Sequence, residues 1–222
     1  MGATEEFFEA VQKGPAEKVE AMLQQDRSLL RARTPKRGLS AVAVAAYFGQ
    51  DEVLKTILRH RPELDIHEAA IAGDLPRVKE LLDRDPELTE ALSVDGFQPL
   101  GLAAYMGRFK VLELLVGRGA DLDFQAPESG FTALTGAISN GHEDVVEYLL
   151  TQGAKANYHY EGGTLTPLHA AIMHGSVRMV KALLEHKADP NAKMATGQSA
   201  LALAEGKEIP PIIELLRQHG AT

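Results

Sequence analysis

The side chains able to do chemistry in this chain are its eight histidines and its carboxylates, because it has no cysteine. Without a thiol there is no disulfide, no thiolate metal ligand and no cysteine nucleophile. His169 and His174 stand five apart, so on a helix they do not share a face as metal ligands at i and i+4 do. His159 and Glu161 lie close together in a polar segment, but no third ligand stands at a fixed offset. Glu161-Gly162-Gly163-Thr164 precedes a helical pattern, yet it lacks the lysine and the spacing of a phosphate loop. There is no Gly-x-Ser-x-Gly run. We therefore expect no catalytic residues, no metal set and no cofactor, and a chain that is not an enzyme.

The 222 residues carry a formal charge of −8, which disfavours nucleic acid and anionic membrane as partners. The charge is uneven: residues 1–61 hold ten Lys/Arg and eight Asp/Glu, and residues 62–222 hold thirteen and twenty-three. No apolar run is long enough to span a bilayer. The first ten residues, MGATEEFFEA, are acidic and lack the apolar region of a signal peptide. Met1-Gly2 opens like a myristoylation signal, but Glu6 stands where Ser or Thr is required. These features lead us to expect a soluble, cytoplasmic protein.

The elements follow from one stretch, Thr166 to Asn191, TPLHAAIMHGSVRMVKALLEHKADPN. Thr166 suits an N-cap, and Pro167 suits the first helical position, which needs no N–H partner. Leu168, Ala171 and Ile172 fall at helical spacing, Gly175 ends that helix, and Val177, Val180, Leu183 and Leu184 make the inward face of a second. The Thr-Pro-Leu-His-x-Ala run resembles the ankyrin repeat. The resemblance implies that His169 hydrogen-bonds nearby backbone rather than a ligand.

The position of Gly175 recurs at Gly14, Gly49, Gly73, Gly107, Gly141 and Glu208, in steps of 35, 24, 34, 34, 34 and 33. We therefore expect an all-α ankyrin-repeat solenoid of about seven stacked helix-pair repeats with short hairpin or loop fingers. It would form a single domain over 1–222, with repeats near 4–37, 38–63, 64–95, 96–129, 130–163, 164–196 and 197–222. Thr4 is the expected first N-cap, with helices near Glu5–Lys13 and Ala16–Gln25. The step of 24 leaves no room for a finger in the second repeat, where Arg61-Pro62-Glu63-Leu64-Asp65 runs straight into the next helix. A gap in the row of fingers should result. The finger before it is basic, with Arg31, Arg33, Lys36 and Arg37, and reads either as a solvated loop or as a contact for an acidic partner or phosphate. Gly119 and Gly153 suit left-handed helix caps, and Lys187 occupies the equivalent place. The short repeats, with Pro-Glu-Leu endings before Gly-Ala endings, are similar to stand-alone bacterial ankyrin proteins.

The resemblance also implies a binding surface. The two residues before each helix-ending glycine should face a concave groove: Gln12 and Lys13, Tyr47 and Phe48, Ile71 and Ala72, Tyr105 and Met106, Ser139 and Asn140, Met173 and His174. Tyr and Met are favoured at interface centres. Phe48 is the residue we expect to pack on a finger base. Phe97 and Phe131 follow turn glycines and read as structural. Tyr158-His159-Tyr160 reads as an exposed finger tip, with Tyr158 and Tyr160 as partner contacts. The expected binding set is Tyr47, Phe48, Tyr105, Met106, Asn140, Met173, His174, Tyr158 and Tyr160. The expected function is a non-catalytic protein–protein interaction module, monomeric, with an unidentified protein partner. The alternatives are a self-associating structural protein and a peptide or small-molecule sensor.

Overall fold

The computed structural model describes residues 2–160 and 162–222. Met1 and Glu161, which enter the myristoylation and phosphate-loop readings, lie outside the described residues. The chain is all-α and folds as helix pairs. Its contacts divide into two compact units, residues 1–99 and 100–222.

Unit 1 contains α1 (Ala3–Lys13), α2 (Ala16–Gln25), α3 (Ala41–Tyr47), α4 (Asp51–Arg59), α5 (Ile66–Ala72) and α6 (Leu75–Arg84). Short 3-10 helices at Arg27–Arg31 and Pro86–Thr89 follow α2 and α6. The first helices pack on one another, α1 on α3 and α3 on α5, and α2 packs on α4. Alanine makes this close approach possible: Ala41, Ala43 and Ala45 of α3 and Ala69 and Ala70 of α5 are buried. Phe7 and Phe8 close the N-terminal end, edge to face at 5.5 Å.

Unit 2 contains α7 (Pro99–Tyr105, its first residue just before the unit boundary), α8 (Phe109–Gly117), α9 (Ala133–Ser139), α10 (Glu143–Thr151), α11 (Pro167–His174), α12 (Val177–Glu185), α13 (Ala200–Gly206) and α14 (Pro210–Gln218). The arrangement repeats: α9, α11 and α13 pack in a row, as do α10, α12 and α14. Phe109 of α8 meets Tyr148 of α10 edge to face at 5.2 Å. Leu168, Ala171 and Ile172 are buried as the helical spacing requires. Val177 is not; it is 37% exposed at the first position of α12, and Met179, fully buried, takes the inward place.

The same cap starts most first helices. Ser40, Asp65, Thr132, Thr166 and Ser199 each accept from the amide three residues on. At α1 the expectation fails: Thr4 lies inside the helix, and the Gly2 amide donates instead to Glu5 Oε2 at 3.1 Å. His169 is fully buried, with Nδ1 2.7 Å from Thr166 Oγ1. Its Nε2 makes no hydrogen bond of normal geometry, although the Gln198 backbone is near enough to offset burial in part. In the third repeat His67 Nε2–H donates to the Ala91 carbonyl at 2.9 Å. The His67 ring therefore ties the start of its helix to backbone 24 residues on, whereas the His169 ring bonds the side chain of its own N-cap rather than the nearby backbone that the resemblance implied.

Side chains also join successive repeats within a unit. Gln50 Nε2 donates to Gln12 O, and His142 Nε2–H donates to Tyr105 O, each at 3.0 Å; both carbonyls belong to the residue two before a helix-ending glycine. Gly107 is required there twice over. Its φ is +63°, and a Cβ would lie 2.6 Å from the His142 ring. On the loop side a ladder runs at a 34-residue step. Asp123 accepts from the Lys155 amide at 2.8 Å, Asn157 from the Asp189 amide at 2.8 Å, and Asn191 from the Thr222 amide at 3.0 Å. The two asparagines also donate, to Lys187 O at 2.6 Å and Gly220 O at 3.0 Å.

Three of the fingers are short turns closed by isolated bridges, Arg33 with Ser40, Tyr160 with Leu165, and Lys193 with Ser199. The expected gap after the second repeat closes at its outer edge. A Cβ on Gly38, in the first finger, would lie 3.8 Å from Val94 in the third, and the Tyr47 hydroxyl donates to Asp95 at 2.8 Å. Six of the seven aligned breaker positions are left-handed, Glu208 among them at φ +54°, whereas Gly14 is extended. Lys187 is left-handed at φ +67°, as its place in the repeat predicts.

An L-residue pays about 1–2 kcal/mol to sit in the left-handed region, while glycine loses roughly 0.5–1 kcal/mol more entropy on folding. Lys187→Gly should therefore stabilise by about 0.5–1 kcal/mol in urea denaturation; a lower midpoint would contradict the conformational argument. A second measurement concerns His169, whose pKa burial holds below the ordinary value, so the folded state keeps it neutral. The unfolded chain takes up that proton near its ordinary pKa of about 6.5, so the folded state binds fewer protons and stability falls as pH drops through that value. His169→Gln should lower stability at neutral pH yet flatten its slope between about pH 7 and 5. Carboxylates held low by hydrogen bonds, such as Glu20 and Glu147, titrate in a more acidic window.

Candidate partner-binding surface

The ends of α7, α9 and α11 set six residues in one register: Tyr105 and Met106, Ser139 and Asn140, Met173 and His174. In each helix the preceding residues are buried, Ala103 and Ala104, Ala137 and Ile138, Ala171 and Ile172. The six are accessible because a seven- or eight-residue helix has by then completed its buried turns. Ser139, Asn140, Met173 and His174 are exposed, and Tyr105 and Met106 are half-buried. The helices are close here: a Cβ on Gly136 would touch Tyr105 at 3.5 Å, ordinary contact distance. Asn140 Nδ2 donates to Gly136 O at 3.2 Å, and the His174 ring lies over Gly141, 2.8 Å from where a Cβ would stand. The row is thus a shallow surface with an apolar thioether at each end and amide, hydroxyl and imidazole between.

In unit 1 the same register holds Tyr47 and Phe48, with roles opposite to expectation. Tyr47 is half-buried and spends its hydroxyl on the base of a finger at Asp95, while Phe48 is 52% exposed. Ile71 does not face a groove at all; it is 2% exposed, within the core.

The reading of Tyr158-His159-Tyr160 as an exposed tip is corrected. Tyr160 is 3% exposed, pairs its backbone with Leu165 and meets Phe131 edge to face at 5.2 Å. Tyr158 is half-buried, and its hydroxyl makes a short hydrogen bond with Thr132. Burial pushes its pKa up to about 12, so the phenol stays neutral and able to donate. Thr135 occupies the place that His169 fills one repeat later, and the finger residue opposite changes in step, Tyr158 in one repeat and Ala192 in the next. The large side chain comes from the finger where the helix supplies a small one. Of this trio His159 alone is exposed.

Two exposed apolar residues were missed, Leu92 at 54% and Val94 at 70%, both in the third finger. The apolar–polar alternation of Leu92-Ser93-Val94-Asp95 was the available signal. Among the described residues no group of three His, Asp or Glu side chains is placed to hold a metal ion, and no helix is long and apolar enough to cross a membrane.

Comparison with known proteins agrees with this geometry. Ankyrin-repeat models match residues 66–160 (three copies) and 156–204 (many copies). Over residues 66–204 the chain belongs to the ankyrin repeat family. It is 30% identical over 95 residues to the ankyrin repeat protein FPV240 of fowlpox virus, covering 39% of this chain and 23% of that one. It is 34% identical over 98 residues to the ankyrin repeat and SAM domain-containing protein 6 of Danio rerio, covering 40% of this chain and 13% of that one. The mouse protein of the same name is 40% identical over 67 residues, 30% of this chain and 7% of that one. The chain thus matches less than a quarter of the length of each. Ankyrin repeats are generally non-catalytic protein–protein interaction modules. These relatives are viral and vertebrate, and lend no support to the bacterial style read from the repeat endings.

Burial separates structural from surface aromatic and thioether positions. Tyr160→Ala should cost about 3 kcal/mol of folding stability, in the range for a large buried side chain. Met173→Ala should stay within about 0.5 kcal/mol of the parent, as exposed positions do. Equal melting shifts for the two would refute this division.

Proposed function

We propose that the chain is a non-catalytic interaction module that holds a partner protein against the ends of α7, α9 and α11. The observation that carries this is Met173, nearly half exposed beside fully buried Ile172 and in register with Tyr105 and Met106. Folding does not explain an accessible thioether at that position, and binding a partner would. Asn140 and His174 supply the polar groups that would fix orientation. Within unit 1, Phe48 and the ring face of Tyr47, whose hydroxyl is engaged, hold the equivalent register positions and would contribute partner contacts of their own. Tyr158 and Tyr160 leave the set. The 34-residue step from Gly73 to Gly107 runs through the unit boundary, which supports reading the chain as one repeat domain. The acidic charge and the lack of cysteine support a cytoplasmic monomer that ignores nucleic acid and membranes.

The test pairs binding with stability. A partner is isolated with the parent chain from native extract, identified, and titrated against variants. Tyr105→Ala with Met106→Ala should weaken it by about 2–4 kcal/mol, the range of interface hot spots. Tyr105 is half-buried, so some stability, about 1 kcal/mol, should also be lost. Met173→Ala, which spares the core, should weaken binding at unchanged stability. Undiminished affinity in both variants would place the interface elsewhere. Sedimentation as a dimer at micromolar concentration, abolished by Met173→Ala, would favour self-association instead.

A further inference from the structure

The shortened second repeat leaves more than a missing finger. At the link that replaces the finger is a cavity of about 490 Å³, within the range of small-ligand sites. Its charged lining is Arg27, Arg31, Arg33, Arg61, Glu63 and Glu68, four guanidiniums against two carboxylates. Glu68 is already committed. Nearly buried, it accepts from the Asp65 amide at 3.1 Å through one oxygen and pairs with Arg33 at 3.2 Å through the other. Glu63 is paired loosely with Arg31 at 3.8 Å, both side chains more than three-quarters exposed. Arg27 donates to the His60 carbonyl at 2.7 Å, which orients the guanidinium but does not neutralise it. Arg61 makes no ion pair or side-chain hydrogen bond among the described residues. Two positive charges therefore face the cavity uncompensated. Arg61 is also held at φ +49°, a left-handed conformation unfavourable for a non-glycine residue, where glycine would be better for folding.

We propose that this cavity binds a phosphomonoester group, with Arg61 and Arg27 taking its charge and Arg31 turning to it from Glu63. A phosphomonoester carries about −1.5 to −2 at neutral pH, which matches the two unpaired guanidiniums; a single carboxylate would leave one unmatched. Guanidinium forks suit phosphate oxygens bidentately, and Arg27 is already anchored, so little freedom is lost on binding. The cavity exceeds a bare phosphate, leaving room for a small carrier beside Leu30 and Val42.

The experiment is calorimetric titration of the full chain at low ionic strength with O-phosphoserine, serine and inorganic phosphate. O-phosphoserine should bind saturably at one site, and serine should not bind. Inorganic phosphate binding as tightly as O-phosphoserine would assign the site to free phosphate, and weaker binding would assign it to a phosphorylated carrier. Arg61→Gly should lower the affinity at least tenfold while raising the melting temperature of the ligand-free protein, so the loss cannot come from unfolding. Arg27→Gln should also weaken binding, and Arg217→Gln, on α14, should not. Unsaturable heats, or equal affinity in the Arg61 and Arg27 variants and the parent, would overturn the proposal.

Discussion

Every helix here depends on its neighbours, because none is long enough to stand alone. They run from seven to eleven residues, below the dozen or more an isolated helix needs in water. Each is stable only when its apolar stripe is covered by its partner and by the adjacent repeat. Coverage at such short length demands close approach, and close approach demands small side chains. Hence alanine at positions 69 and 70 in α5, 103 and 104 in α7, and 170 and 171 in α11. Large side chains come mainly from the second helices, where Leu112, Leu115, Leu149 and Leu183 fill the interior.

The hydrogen bonds between repeats follow from the same dependence. A short helix leaves a large share of its backbone groups without intrahelical partners. Gln50 and His142 satisfy carbonyls of the preceding first helix, and Asn157 and Asn191 satisfy both an amide and a carbonyl of the following loop. Such contacts hold successive repeats in register within a unit and make a substitution at one repeat felt by the next. In α11 the last two residues, Met173 and His174, lie exposed beside a filled core, whereas in α5 the equivalent Ile71 is part of it.

Loss of the second finger acts in two places. At the outer edge the neighbouring fingers meet, Gly38 near Val94 and Tyr47 on Asp95. At the base the link is too short to fill the space it spans, and a cavity remains between it and the basic segment that precedes it. A solvated basic loop would spread its guanidiniums apart. Here two guanidiniums of that loop, Arg31 and Arg33, line one cavity together with Arg27 and Arg61, with the buried carboxylate of Glu68 at its wall.

The sequence by itself determined the repeat. The breaker positions after the first repeat, the cap at Thr166, the left-handed Lys187 and the structural role of His169 were legible because each is a local property, set by spacing, φ or a bond three residues away. Tertiary structure decided what pairwise packing decides. Tyr160 turned inward onto Phe131, Ile71 entered the core, and Val177 was displaced by Met179, since burial depends on which element lies opposite. Tyr47 and Phe48 exchanged expected roles because Asp95, 48 residues away from Tyr47, offered an acceptor to one and not the other. The arginine cavity needed three segments brought together across a deletion, and no single stretch of sequence contains it.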